Sequence, residues 1–206
     1  MARIFLNINI KQSNKKALIN MSHCIDQDFP CKNHDYSEFD LVARSELFDP
    51  PTMDYIVNQP NFCTFMPTDE TIRLEELCLK DYLTGLKDKK GIYNLWIDYD
   101  NCDEHETHTM LCVYVGKGMA GGRILNHIKE KWPQSEYLYV TFYECSNRIS
   151  KYLEQLFLDT YKFHLNKNEN PGDKNLFAIW SSDLHLNGTE SGVISEILDK
   201  KLLKAF

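Results

Sequence analysis

Apolar residues recur along this chain with two periods, and the changes between them mark its elements. Over residues 3 to 10, Ile4, Leu6, Ile8 and Ile10 alternate with other residues, which predicts a strand. Lys11 to Tyr36 is polar. Ser37 to Phe48 has the spacing of a short helix, ended by Pro50-Pro51. Pro60 and Pro67 break the next segment. Thr68 or Asp69 is placed to cap a helix reaching about Leu86, with Ile72, Leu77, Leu79, Tyr82, Leu83 and Leu86 largely on one side.

Beyond Gly91 the period shortens again. Gly91 to Ile97 reads as a strand that runs into an acidic loop, Asp98 to Thr109. Met110 to Val115 is apolar on both faces, the mark of a central strand. Ala120 to Trp132 is a predicted helix stopped by Pro133, and Tyr137 to Cys145 a third strand. Ser146 or Asn147 caps a helix to about Phe163, whose Ile149, Tyr152, Leu153, Leu156, Phe157 and Tyr161 make a wide apolar face. Asn166 to Asn175 is turn-rich, Leu176 to Trp180 a short edge strand, and Thr189 to Leu203 a last helix.

This order predicts an α+β fold: a small three-stranded mixed or antiparallel sheet flanked by helices, with an N-terminal extension and a C-terminal helix. The expected division is an extension over 1–90, a core over 91–180, and a helical segment over 181–206 packed on that core. No motif in 1–90 declares a role, and no repeat is present.

Composition narrows the class. An apolar fraction of 43% over 206 residues supports a real core, and no apolar run is long enough to cross a bilayer. The first residues lack the pattern of a secretory signal. Seven cysteines at irregular spacings point to reduced thiols, hence a cytoplasmic, nucleoid or nuclear compartment; delivery into another cell is compatible with this. A net charge of -7 argues against attachment to nucleic acid through a generally basic surface. A local basic cleft and a bound cation would have to supply that attraction.

Several residues could carry chemistry. Arg123 and His127 stand at i and i+4, so they share one helix face. A guanidinium fork beside an imidazole suits a phosphodiester. Gly116, Gly118, Gly121 and Gly122 precede them, where backbone could approach an anion. Glu154 lies at the edge of an apolar helix face and could hold a hard cation together with waters. Tyr93 and Tyr114 end two strands, where packing alone also favours tyrosine. His23, Cys24, Cys31 and His34 could bind zinc, although that spacing fits no standard pattern and loop or core roles are the simpler reading. His105-x-x-His108, among acids, is a further metal candidate against the simpler reading of a solvated loop.

Taken in order, Gly91-Ile92-Tyr93, Tyr114-Val115-Gly116-Lys117-Gly118, Arg123-x-x-x-His127, a helical Glu154 and then an Asn-rich loop resemble the GIY-YIG endonucleases over most of 91–170. The Tyr-Val-Gly-Lys-Gly form is similar to the LEM-domain and ankyrin-repeat branch, and Arg-x-x-x-His to restriction enzymes of the family. The resemblance implies single-metal hydrolysis of nucleic acid, DNA first, with Mg2+ as cofactor and Mn2+ as its substitute. It implies that Tyr93 activates water, that Tyr114 orders the site, that Arg123 binds phosphate and that His127 moves a proton. Glu154 would hold the metal, and Lys117, Gly116 and Gly118 would meet the substrate. Asn166 is the expected terminal asparagine, with Asn168 its rival. RNA or branched DNA is the alternative substrate, and a catalytically inactive binding module is the alternative function. The chain departs from the family in its long acidic spacer and in an N-terminal region with no DNA-recognition module.

Overall fold

The computed structural model describes residues 31, 34–67, 78–132, 137–167 and 170–197. In chain order these form α1 (Ser37–Glu46), α2 (Met53–Val57), β1 (Phe62–Met66), a 3-10 helix (Asp81–Leu86), β2 (Lys90–Cys102), β3 (Thr107–Met119), α3 (Ala120–Lys131), β4 (Leu138–Glu144), α4 (Asn147–Thr160), β5 (Phe177–Ser181) and α5 (Ser182–Asn187). Residues 191–197 are also helical, within the expected last helix. The strand expected over 3–10 and the first part of the helix expected from Thr68 lie outside the described residues, as do His23, Cys24 and Asn168.

The α+β class holds, but the sheet has five strands rather than three. Their order is β1-β4-β2-β3-β5, and every pairing is antiparallel. Strand β1 was hidden in the sequence by its flanking Pro60 and Pro67 and by its brevity. It lies on the far side of β4, with Phe62 opposite Phe142 and Met66 opposite Leu138. Strand β5 closes the other edge.

A second correction concerns the acidic loop. Asp98 to Thr109 is mostly ladder: Asp100 pairs with Thr109, Asn101 with His108, and Cys102 with Thr107. The ladder continues because the acids alternate with Ile97 and Tyr99, which pack inward; the Tyr99 ring meets Phe177 edge-on at 5.0 Å. Only a short turn remains, and Glu106 takes a left-handed φ of 51° there. The spacer is therefore a tight hairpin of two long strands.

Alternation divides the core in two. Ile92, Trp96, Cys112 and Val115 face a layer built from α1, α2 and α4, including Phe39, Ile56, Leu153 and Phe157. Tyr93, Leu95, Tyr114, Val140 and Phe142 face the opposite layer, which holds the 3-10 helix and α3 through Leu83, Leu86, Ile124 and Ile128. Helix α4 starts where the Ser146 hydroxyl accepts the amide hydrogen of Ile149. Helix α3 places Ala120, Ile124, Leu125 and Ile128 inward and ends with Lys129 and Lys131, which suit its negative pole.

Candidate active site

The site begins with a glycine. Tyr93 in β2 is opposite Gly116 in β3, and its ring lies across that residue. A Cβ on Gly116 would sit 2.6 Å from the Tyr93 hydroxyl, so only hydrogen fits. Tyr93 is fully buried, and its hydroxyl has no hydrogen-bond partner. Its ring stacks on Tyr114 with centroids 6.1 Å apart.

Tyr114 continues the arrangement outward. Its hydroxyl is 3.0 Å from Nε2 of His127 in α3, while Nδ1 of that histidine is buried without a partner. Lys131, one helical turn on, sets its ammonium 4.4 Å from the centre of the Tyr114 ring. Arg123, one turn back, is exposed and lies against Gly118, where a Cβ would be 3.1 Å from Nη1. Gly118 has a φ of +110°, a conformation that disfavours any side chain. Lys131 was not singled out in the sequence, yet it continues the i, i+4 row through Arg123 and His127.

Charges and burial set the protonation states. Burial raises the Tyr93 phenol well above its usual range; Tyr114 adds to this and Arg123 opposes it. Arg123 and Tyr114 thus lie close enough to influence its ionisation. Tyr114 is raised chiefly by burial, against the pull of Tyr93 and Arg123. His127 is lowered by burial, then by Lys131 and Arg123, with Glu130 opposing. At pH 7 both phenols keep their protons and the imidazole is neutral.

Glu154 occupies a different position. It stands on α4, against the opposite face of the sheet, and its carboxylate pairs with the Lys117 ammonium. Lys117 and Gly118 are consecutive, so the end of β3 has the Glu154 pair on one side and the Arg123 guanidinium on the other. The structure brings Tyr93, Tyr114, Arg123 and His127 together; Glu154 and Lys117 form a neighbouring pair across that strand end. Asn166 acts on the backbone. It accepts the Val115 amide hydrogen at 3.1 Å and donates to the Val115 carbonyl at 2.9 Å, fixing the strand beside Tyr114.

A groove of about 310 Å3 opens beside α3, lined by Lys80, Leu83, Thr84, Lys87, Gly121, Gly122 and Leu125. Lys80 and Lys87 border this groove, whose lining is otherwise mostly apolar, and Gly121 and Gly122 bring it to the start of α3. The His105-x-x-His108 pair does not act together. His105 turns to Cys31 and Cys102, whereas His108 stacks on His185 at 3.6 Å beside Asp98. His185 and Tyr139, which complete that second cluster, carried no sequence signal.

Comparison with protein-family models, curated proteins and solved structures found no match.

Proposed function

We propose that this chain is a metal-dependent endonuclease that hydrolyses phosphodiester bonds of DNA. One observation carries the reading: a Tyr114–His127 hydrogen bond sits beside an exposed arginine and the orphaned Tyr93 hydroxyl. The Tyr93 hydroxyl and Nδ1 of His127 are buried without a protein partner, which supports a place for water or a substrate oxygen here.

The proton path follows from the protonation states. A water attacking phosphorus gives a proton to the Tyr114 oxygen as the Tyr114 proton passes to Nε2 of His127. Lys131 and Arg123 disfavour the resulting imidazolium, so His127 releases that proton readily afterwards. Tyr93, held protonated by burial, serves better as a hydrogen-bond donor than as the base the family resemblance implies. Arg123 binds the phosphoryl oxygens as they gain charge. Asn166 keeps Tyr114 in place through Val115.

Glu154 fits a hard cation. Its carboxylate is 18% exposed and is paired with the Lys117 ammonium, which an incoming ion would displace. A single carboxylate leaves most of the coordination sphere to water and phosphate oxygens, as Mg2+ requires. Bound there, Mg2+ or Mn2+ would supply Lewis-acid stabilisation of the leaving oxygen.

The second reading is a nucleic-acid-binding module without catalysis. It is favoured by the position of Glu154, whose helix packs against the opposite face of the sheet from Tyr93 and His127. Nicking of supercoiled plasmid with Mg2+, compared with EDTA and with His127→Gln, tests both. Nicking that needs Mg2+ and His127 supports the nuclease. Binding without nicking leaves the module.

A further inference from the structure

We infer that Cys31, Cys102 and His105 hold a structural zinc ion. Nδ1 of His105 lies 3.2 Å from the Cys31 sulfur and 3.5 Å from the Cys102 sulfur. All three donor atoms lie within 4.8 Å of one another. Zn–S bonds near 2.3 Å and Zn–N bonds near 2.0–2.1 Å give a tetrahedron whose S···N edge is about 3.5 Å. Both S···N separations are close to that spacing.

Hydrogen bonding explains the convergence less well. Nδ1 has one in-plane site, and two sulfurs approach it from chain positions far apart in sequence. One proton serves one such contact, whereas a cation serves all three. The two cysteines are buried, neither is in a disulfide, and they form a small cluster of their own apart from both large cores. Two thiolates and an imidazole are a zinc donor set.

The sequence carries a matching pattern. Cys31-x-x-His34 and Cys102-x-x-His105 are two Cys-x-x-His pairs, and the second starts at the last residue of β2 and runs into the β2–β3 turn. A tight turn presents such a pair to one ion. His34 is not among the three clustered donors, but its Nε2 is buried without a hydrogen-bond partner. It is assigned the fourth position, which would close the site as in structural zinc centres. The Asp98–His108–His185 group is a weaker rival. Its Asp98 carboxylate is exposed, whereas both cysteines of the first group are buried.

The test uses the full chain, purified with reductant, and measures zinc by elemental analysis. About one zinc per chain is expected, with loss in Cys102→Ser and His105→Ala and retention in His108→Ala and Glu154→Ala. Because the first two variants can fail to fold, Co2+ exchange into the unaltered chain gives an independent readout. Thiolate-to-cobalt absorption in the near ultraviolet, with the intense visible bands of a tetrahedral ion, is expected. A metal-free reduced chain, a Cys31–Cys102 disulfide, or a cobalt spectrum without the thiolate band would overturn the inference. His34→Ala should weaken zinc at least tenfold; unchanged affinity would overturn the assignment of the fourth ligand to His34.

Discussion

The Tyr114 hydroxyl lies 3.0 Å from Nε2 of His127, so a strand and the helix that follows it share a single proton. The neighbours of that pair bias it. Lys131 and Arg123 both resist a charged imidazole, and burial does so more strongly. Cleavage needs the neutral ring, so the acid limb of the rate profile should fall below pH 6.5, the ordinary value for histidine. Lys131→Met removes one opposing charge and should move that limb upward. Single-turnover rates across pH check this, and a limb centred above 6.5 in the unaltered chain contradicts it.

Stability has a related pH dependence. His127, His108 and His164 are all lowered, each chiefly by burial. Between the unfolded value near 6.5 and the lowered folded values, the unfolded chain binds more protons. Stability is then fully present above pH 6.5 and is lost as pH falls through the folded values. Denaturant midpoints should decline from pH 7.5 to pH 5. Equal midpoints across that range would contradict the argument.

Arg123→Lys separates charge from shape. If Arg123 grips the phosphoryl oxygens in the transition state, lysine cannot reproduce its planar fork. The single-turnover rate should fall ~100-fold or more, the range for losing one preorganised donor. Binding of the same oligonucleotide at the same salt should weaken far less. An unchanged rate would leave Arg123 as a steering charge.

Glu154→Ala should abolish cleavage while barely disturbing the fold. The side chains of the Lys117–Glu154 pair are 29% and 18% exposed. Such a pair contributes about 1 kcal/mol at most, after screening by solvent. The melting temperature should drop by roughly 2–4 °C. A larger drop with cleavage retained would make Glu154 structural and place any metal elsewhere.

Gly116→Ala tests the close packing under Tyr93. The added methyl would meet the Tyr93 ring at 2.6 Å, and overpacking of this kind costs about 1–3 kcal/mol. The double variant Gly116→Ala/Tyr93→Leu should recover much of that stability without recovering cleavage. A double variant no more stable than Gly116→Ala would show that the strain lies in the backbone.

The parts of the site that sequence made legible are those governed by local geometry. Arg123 and His127 share a face because a helix returns every 3.6 residues, and Ser146 caps because its side chain reaches its own helix. Parts that depend on distant chain were not legible. Nothing local to Glu154 indicates that it meets Lys117, and nothing local to Asn166 indicates that it clamps Val115. The acidic stretch after Ile97 misled for a different reason. Charge suggested a loop, but the ladder hydrogen bonds do not depend on side chains, and Ile97 and Tyr99 gave the strand a buried face.

The β2–β3 hairpin is also a ruler. Each strand is thirteen residues long, and the run from Tyr93 to Cys102 spans about 30 Å at the usual strand rise. The proposed zinc donors and the proton-transfer pair therefore sit at opposite ends of one ribbon, too far apart to share an ion. Loss of cleavage in EDTA then has two causes to distinguish: removal of a hard cation by Glu154, and release of the tip that holds the hairpin. A chelator selective for soft metals, applied in excess Mg2+, separates them. Slow inactivation that tracks zinc release would belong to the tip. Immediate, Mg2+-reversible loss in EDTA would belong to Glu154.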